Sequence, residues 1–181
     1  MVTMAMLAAL SILLVYMVRF PIFPAAPFLE YDMADVPILI GTFLFGPISG
    51  LILTVVVSLI QAVTVSAGSG WIGAIMHIIA TGAFVLVAGT IYHKFTSRGG
   101  AVVSLILGSI AMTLAMIPLN LVLTVAFMGA PREVVMGMLV PIIIPFNLIK
   151  AGANSVITFA VYKAVARVLR LEIAETKEQT I

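Results

Sequence analysis

Six polar side chains stand inside otherwise apolar stretches of this 181-residue chain: Gln61, His77, Asn120, Asn147, Lys150 and Asn154. Lys150 poses the sharpest physical problem, because an ammonium group cannot rest against hydrocarbon. No acid occurs in the stretches predicted to be spans, so its partner must be a ligand, carbonyl groups, water or a loop acid such as Asp32. Asn147, Lys150 and Asn154 recur at i, i+3 and i+7, which places them on one helix face and makes that face a polar stripe. Such a stripe implies a cavity or a polar neighbour. The groups are suited to binding rather than to bond breaking. The chain has no phosphate-cradling glycine loop, no metal-spaced histidine pair and no serine-histidine-acid set that the spans would assemble.

Each of the other polar residues has a plain reading beside the functional one. Gln61 and Asn154 suit hydrogen bonding between helices, which membrane bundles use routinely, as well as contact with a ligand. His77 has no second histidine and no carboxylate on its own helix, so a packed, hydrogen-bonded imidazole stands beside a ligand contact or a proton relay. Asn120 is open between the two readings. In the first apolar run Ala5 and Ala9 have the spacing of small residues that lets another helix approach closely, either within this chain or from a partner.

The elements that must position these groups follow from composition. The chain is 63% hydrophobic and 9% charged, a balance that suits lipid rather than water as the surrounding solvent. The net charge of +2 is too small and too scattered for a nucleic-acid surface, and the absence of cysteine excludes disulfides and thiolate metal sites. Apolar runs at about 2–18, 36–46, 48–66, 71–92, 101–128 and 138–167 predict an all-α integral membrane protein, a compact bundle of six transmembrane helices. The first run lacks the basic leader and cleavage pattern of a signal peptide and is read as a mature helix. The second is short and must be tilted or partly buried in protein. Between the first two lies a proline-rich structured loop, 19–35, and Asp35 is placed to cap the second helix. Residues 1–171 form the transmembrane substrate-binding domain and 172–181 a polar C-terminal tail. Six basic residues fall on the side of the 93–100 loop and the C terminus, against Arg19 and Arg132 on the other, which predicts cytoplasmic N and C termini. Gln61, His77, Asn120 and Asn147 then lie at similar depth below the outer surface, with Lys150 slightly deeper.

The run from Glu30 to Pro37 (EYDMADVP), the run from Phe45 to Gly50 (FGPISG), the segment from Pro145 to Lys150 (PFNLIK) and Asn154-Ser155 together resemble the riboflavin-specific S components of energy-coupling factor (ECF) transporters. The resemblance covers nearly the whole chain. It implies a high-affinity binding subunit, not an enzyme, in the bacterial plasma membrane, with riboflavin as transported ligand and no cofactor. It implies docking on the transmembrane subunit EcfT through Ala5 and Ala9, with two ATPase subunits driving import. It also implies ligand contacts from Asn120, Asn147 and Lys150, and a covering outer loop that brings Leu29, Tyr31 and Asp32 to the site. Gln61 and His77 join these as candidate substrate-binding residues on grounds of depth.

Two rivals bear on the reading. An S component for thiamine, biotin or a pyridoxal form would favour aromatic stacking, for which the expected cavity offers little beyond Tyr31 and Trp71. A small membrane enzyme would use His77 with an outer acid such as Asp32.

Overall fold

The computed structural model describes the backbone of residues 2–178 and the side chains of residues 2–165. The side chains of Arg167, Arg170 and Lys177, counted above for orientation, and the last three residues of the tail lie outside the described residues. The backbone of the tail is helical to Glu178.

Six helices account for nearly all of the described chain. They are α1 (Val2–Met17), α2 (Asp35–Phe45), α3 (Pro47–Val63), α4 (Gly70–Lys94), α5 (Arg98–Met128) and α6 (132–178). Between α1 and α2 the predicted structured loop contains a small antiparallel hairpin, β1 (Arg19–Pro21) with β2 (Glu30–Asp32). Arg19 faces Asp32, Phe20 faces Tyr31 and Pro21 faces Glu30, with the Phe20 and Tyr31 rings 5.3 Å apart. Proline is tolerated at this edge because a two-stranded ribbon leaves some N–H positions unpaired.

Gly46 and Pro47 join α2 to α3 almost without a loop, as expected. Gly46 has φ 98°, a conformation that glycine enters without steric cost, and Pro47 opens α3 where its missing N–H is harmless. Gly129, at φ 61°, ends α5. The sixth helix begins earlier than the predicted Met138. It starts at Arg132 and absorbs Pro141 in a five-residue π-helical stretch, Leu139–Ile143, before continuing as α-helix. A similar stretch, Asn120–Thr124, follows Pro118 in α5. In both places proline removes a backbone donor, and the wider turn restores a continuous rod.

Three helices, α4, α5 and α6, are long and apolar enough to cross a membrane, and α1, α2 and α3 are shorter apolar helices. The third run therefore falls below the length the sequence suggested. The short second run is partly buried in protein, as expected: nine of the eleven residues of α2 are buried. It packs against α1, α3, α4 and α6. Ile38 and Leu39 of α2, Val57 of α3 and Phe84 of α4 form the fully buried core, while Ile52, Val56, Val102 and Ile106 point outward. Outward apolar side chains on long helices suit a hydrocarbon surround. Glycine permits a close approach of α4 and α5: a Cβ on Gly108 of α5 would lie 2.4 Å from the buried Phe84 ring of α4.

Candidate functional site

A cavity of about 170 Å³ lies under the hairpin, walled by α3, α4, α5 and α6. Its apolar lining includes Phe28 from the loop, Met112, Met116 and Phe127 from α5, and Phe146 from α6. Six of the sequence-predicted residues reach it: Leu29, Asp32, Gln61, His77, Asn147 and Lys150. Three helices and the hairpin thus bring polar groups of similar predicted depth to one place.

Two members of the α6 stripe, Lys150 and Asn154, bond to the hairpin. Lys150 Nζ donates to Asp32 Oδ2 at 2.7 Å, with the two side chains 9% and 14% exposed. The loop acid among the partners allowed by sequence is therefore the one it meets. Asn154 Oδ1 accepts from the Tyr31 hydroxyl at 3.0 Å, and its Nδ2 donates to the Asp32 carbonyl at 3.1 Å and to Asp35 Oδ2 at 3.2 Å. This is the interhelical bonding role, extended to the loop. Asn147 donates to the Ile143 carbonyl at 2.8 Å, at the end of the π-helical stretch, and it borders the cavity. Burial, and after it the Asp32 carboxylate, pushes the Tyr31 phenol above its ordinary value, so Tyr31 stays a donor to Asn154.

Asp35 corrects the sequence reading. The residue before α2 is Ala34, with no side-chain cap, and the Ala34 N–H is taken by Asp32 Oδ1 at 3.0 Å instead. Asp35 itself is fully buried. Its Oδ1 accepts from Thr81 Oγ1 at 2.8 Å and from His77 Nε2 at 3.2 Å, while Oδ2 accepts from Asn154. A carboxylate inside the bundle is tolerable only with such a donor set. It joins α2 to α4 and α6. The signal was available: Asp35 opens an apolar run, and an acid there is open to a buried role as well as a cap.

His77 accordingly meets Asp35 rather than Asp32. Its Nδ1 shares a hydrogen bond with Ser58 Oγ at 2.7 Å, so the hydrogen-bonded imidazole holds while the ring also borders the cavity. Two predicted contacts do not border it. Tyr31 is buried beside Asn154, and the fully buried Asn120 donates to the Met116 carbonyl at 2.7 Å and accepts from Thr124 Oγ1 at 2.8 Å. The Met116 carbonyl also accepts the Asn120 backbone N–H, so the amide folds back onto its own helix at the start of the π-helical stretch. The aromatic count also changes: Trp71 is 65% exposed and outside the cavity, whereas Phe28, Phe127 and Phe146 wall it. On α1, Ala5 and Ala9 lie on the exposed face and Ala8 is buried.

A family model described as the substrate-specific component of ECF transporters matches residues 1–162. The chain belongs to this family of S components. A riboflavin transporter, RibU, of Staphylococcus aureus is similar to this S component at 31% identity over 93% of this chain and 91% of its own length. Riboflavin transporter FmnP of Bacillus subtilis is 31% identical over 86% of each chain. A solved S component of a bacterial ECF transporter superposes with a TM-score of 0.80 at 33% identity, covering 93% of this chain and 95% of that one. This S component is therefore a membrane protein of transport.

Proposed function

We propose that this S component captures riboflavin and holds it in the cavity beneath the hairpin. The observation that carries the reading is the meeting of Lys150, Asn147 and Asp32 at the edge of a pocket walled by Phe28, Phe127 and Phe146. A neutral flavin offers ring carbonyls and nitrogens to the amide and ammonium donors, hydroxyls to the loop polar groups, and a flat apolar ring to the phenylalanine and methionine walls. Leu29 and Asp32 act from the lid, with Tyr31 holding it down through Asn154. Asn120 acts one layer behind, by bonding to the Met116 carbonyl and the Thr124 hydroxyl of two residues that line the cavity. The names of the relatives support riboflavin over other vitamins.

In this reading all six helices cross the plasma membrane as one domain followed by the polar tail, both termini are cytoplasmic, and the hairpin faces outward. The distribution of Lys and Arg supports that orientation. Import requires a transmembrane EcfT subunit and two ATPases, docked through the exposed Ala5 and Ala9 face of α1.

The test is titration of the detergent-purified chain with riboflavin, following flavin fluorescence and the absorbance between about 350 and 500 nm. Saturable quenching, or flavin bands that co-purify, is the expected outcome. A colourless protein indifferent to riboflavin but binding another vitamin would replace the substrate.

A further inference from the structure

The α3 and α4 wall of the cavity carries three polar side chains, Ser58, Gln61 and His77. Two of them are spent. The Ser58 hydroxyl donates to the Thr54 carbonyl at 2.6 Å and meets His77 Nδ1 at 2.7 Å, and His77 Nε2 is taken by Asp35 at 3.2 Å. Gln61, one turn along α3 from Ser58, differs. The residue is 7% exposed, and its Nε2 is buried with no hydrogen-bond partner among the described residues. An amide excluded from water and left unpaired is costly, and native structures rarely keep one without a use. Rotation about its last side-chain torsion presents either end of the amide to the cavity that Gln61 lines.

We propose that Gln61 is a specificity-determining contact, whose amide pairs with an oxygen or nitrogen acceptor on the captured ligand on the cavity wall opposite Lys150 and Asn147. The inference rests on the riboflavin reading and deepens it. With donors on α6 and a further donor on α3, the site selects a ligand carrying acceptors at two separated places, and a cargo with acceptors along one edge alone leaves Gln61 unpaired. In a flavin the acceptor is either a hydroxyl oxygen of the polyol chain or an atom of the ring edge.

The experiment measures affinities of the full chain for riboflavin and for lumiflavin, the same ring with a methyl group in place of the polyol chain, in wild type, Gln61→Leu and Gln61→Met. Each replacement keeps approximate volume while removing the amide, and Met fills the space flexibly if Leu does not fold. Both variants are expected to bind riboflavin roughly tenfold more weakly, the size of one hydrogen bond lost from a buried site. Weakening for riboflavin alone assigns Gln61 to the polyol chain. Equal weakening for both ligands assigns it to the ring. A folded variant that binds both flavins like wild type overturns the inference and leaves the riboflavin reading standing, whereas a wild type that binds neither flavin overturns both.

Discussion

Lys150 of α6 and Asp32 of the hairpin, 118 positions apart in sequence, are joined by a 2.7 Å hydrogen bond at the edge of the cavity. The pair ties the covering loop to the helix that carries the polar stripe, so the charge problem of one element is solved by another. Its exchange for contacts with cargo would couple binding to the position of the loop.

Lys150→Ala is expected to weaken riboflavin binding about a hundredfold, the scale of a lost charge-assisted hydrogen bond. Asp32→Asn removes the carboxylate while keeping the Lys150 donor, and is expected to weaken binding less. Fluorescence titration of the three proteins checks this. Unchanged affinity in a folded Lys150→Ala protein would remove the donor role.

Replacing Asp35 by Ala strips the acceptor from His77, Thr81 and Asn154 at once. Losing one member of a buried, hydrogen-bonded charge network costs about 3 kcal/mol. Thermal unfolding of the ligand-free protein in detergent is expected to show a clearly lowered midpoint, with Asp35→Asn intermediate because it keeps one oxygen acceptor. A midpoint equal to wild type would mean that Asp35 is not the joint between α2, α4 and α6.

The loop over the cavity is stiffened by Pro24 and Pro27, and by turns in which Ala26 N–H donates to the Phe23 carbonyl and Leu29 N–H to the Ala26 carbonyl, both at 3.0 Å. Arg19 adds a side-chain clasp to Glu30 across the hairpin and to the Val65 carbonyl beyond α3. Pro24→Gly with Pro27→Gly enlarges the conformations open to the loop, worth about 0.4–1 kcal/mol per site. Stopped-flow release of bound riboflavin is expected to quicken several-fold. An unaltered release rate would dismiss the lid.

Because the chain has no cysteine, single cysteines report orientation directly. With a membrane-impermeant maleimide on intact cells, Glu133→Cys is expected to react from outside and Thr96→Cys only after permeabilisation; both positions are exposed. The reverse pattern would invert the assigned topology.

Much of this was legible in the sequence because it is written in local patterns. Long apolar runs, few charges and helix-ending glycines depend on neighbours a few positions away, so the mostly helical membrane class, the Gly46-Pro47 hairpin and the α6 face carrying Asn147, Lys150 and Asn154 could be read directly, whereas the β1–β2 ribbon could not. The family followed from the same segments. Which acid neutralises Lys150, and that Asp35 is a buried hub rather than a cap, were decided by tertiary structure, because a buried polar group is stabilised by whatever donor or acceptor reaches it through space. The same holds for Asn120, whose amide meets the Met116 carbonyl and the Thr124 hydroxyl, and for the phenylalanines that line the cavity in place of Trp71. Periodicity identifies the face of a helix, and packing decides what that face meets.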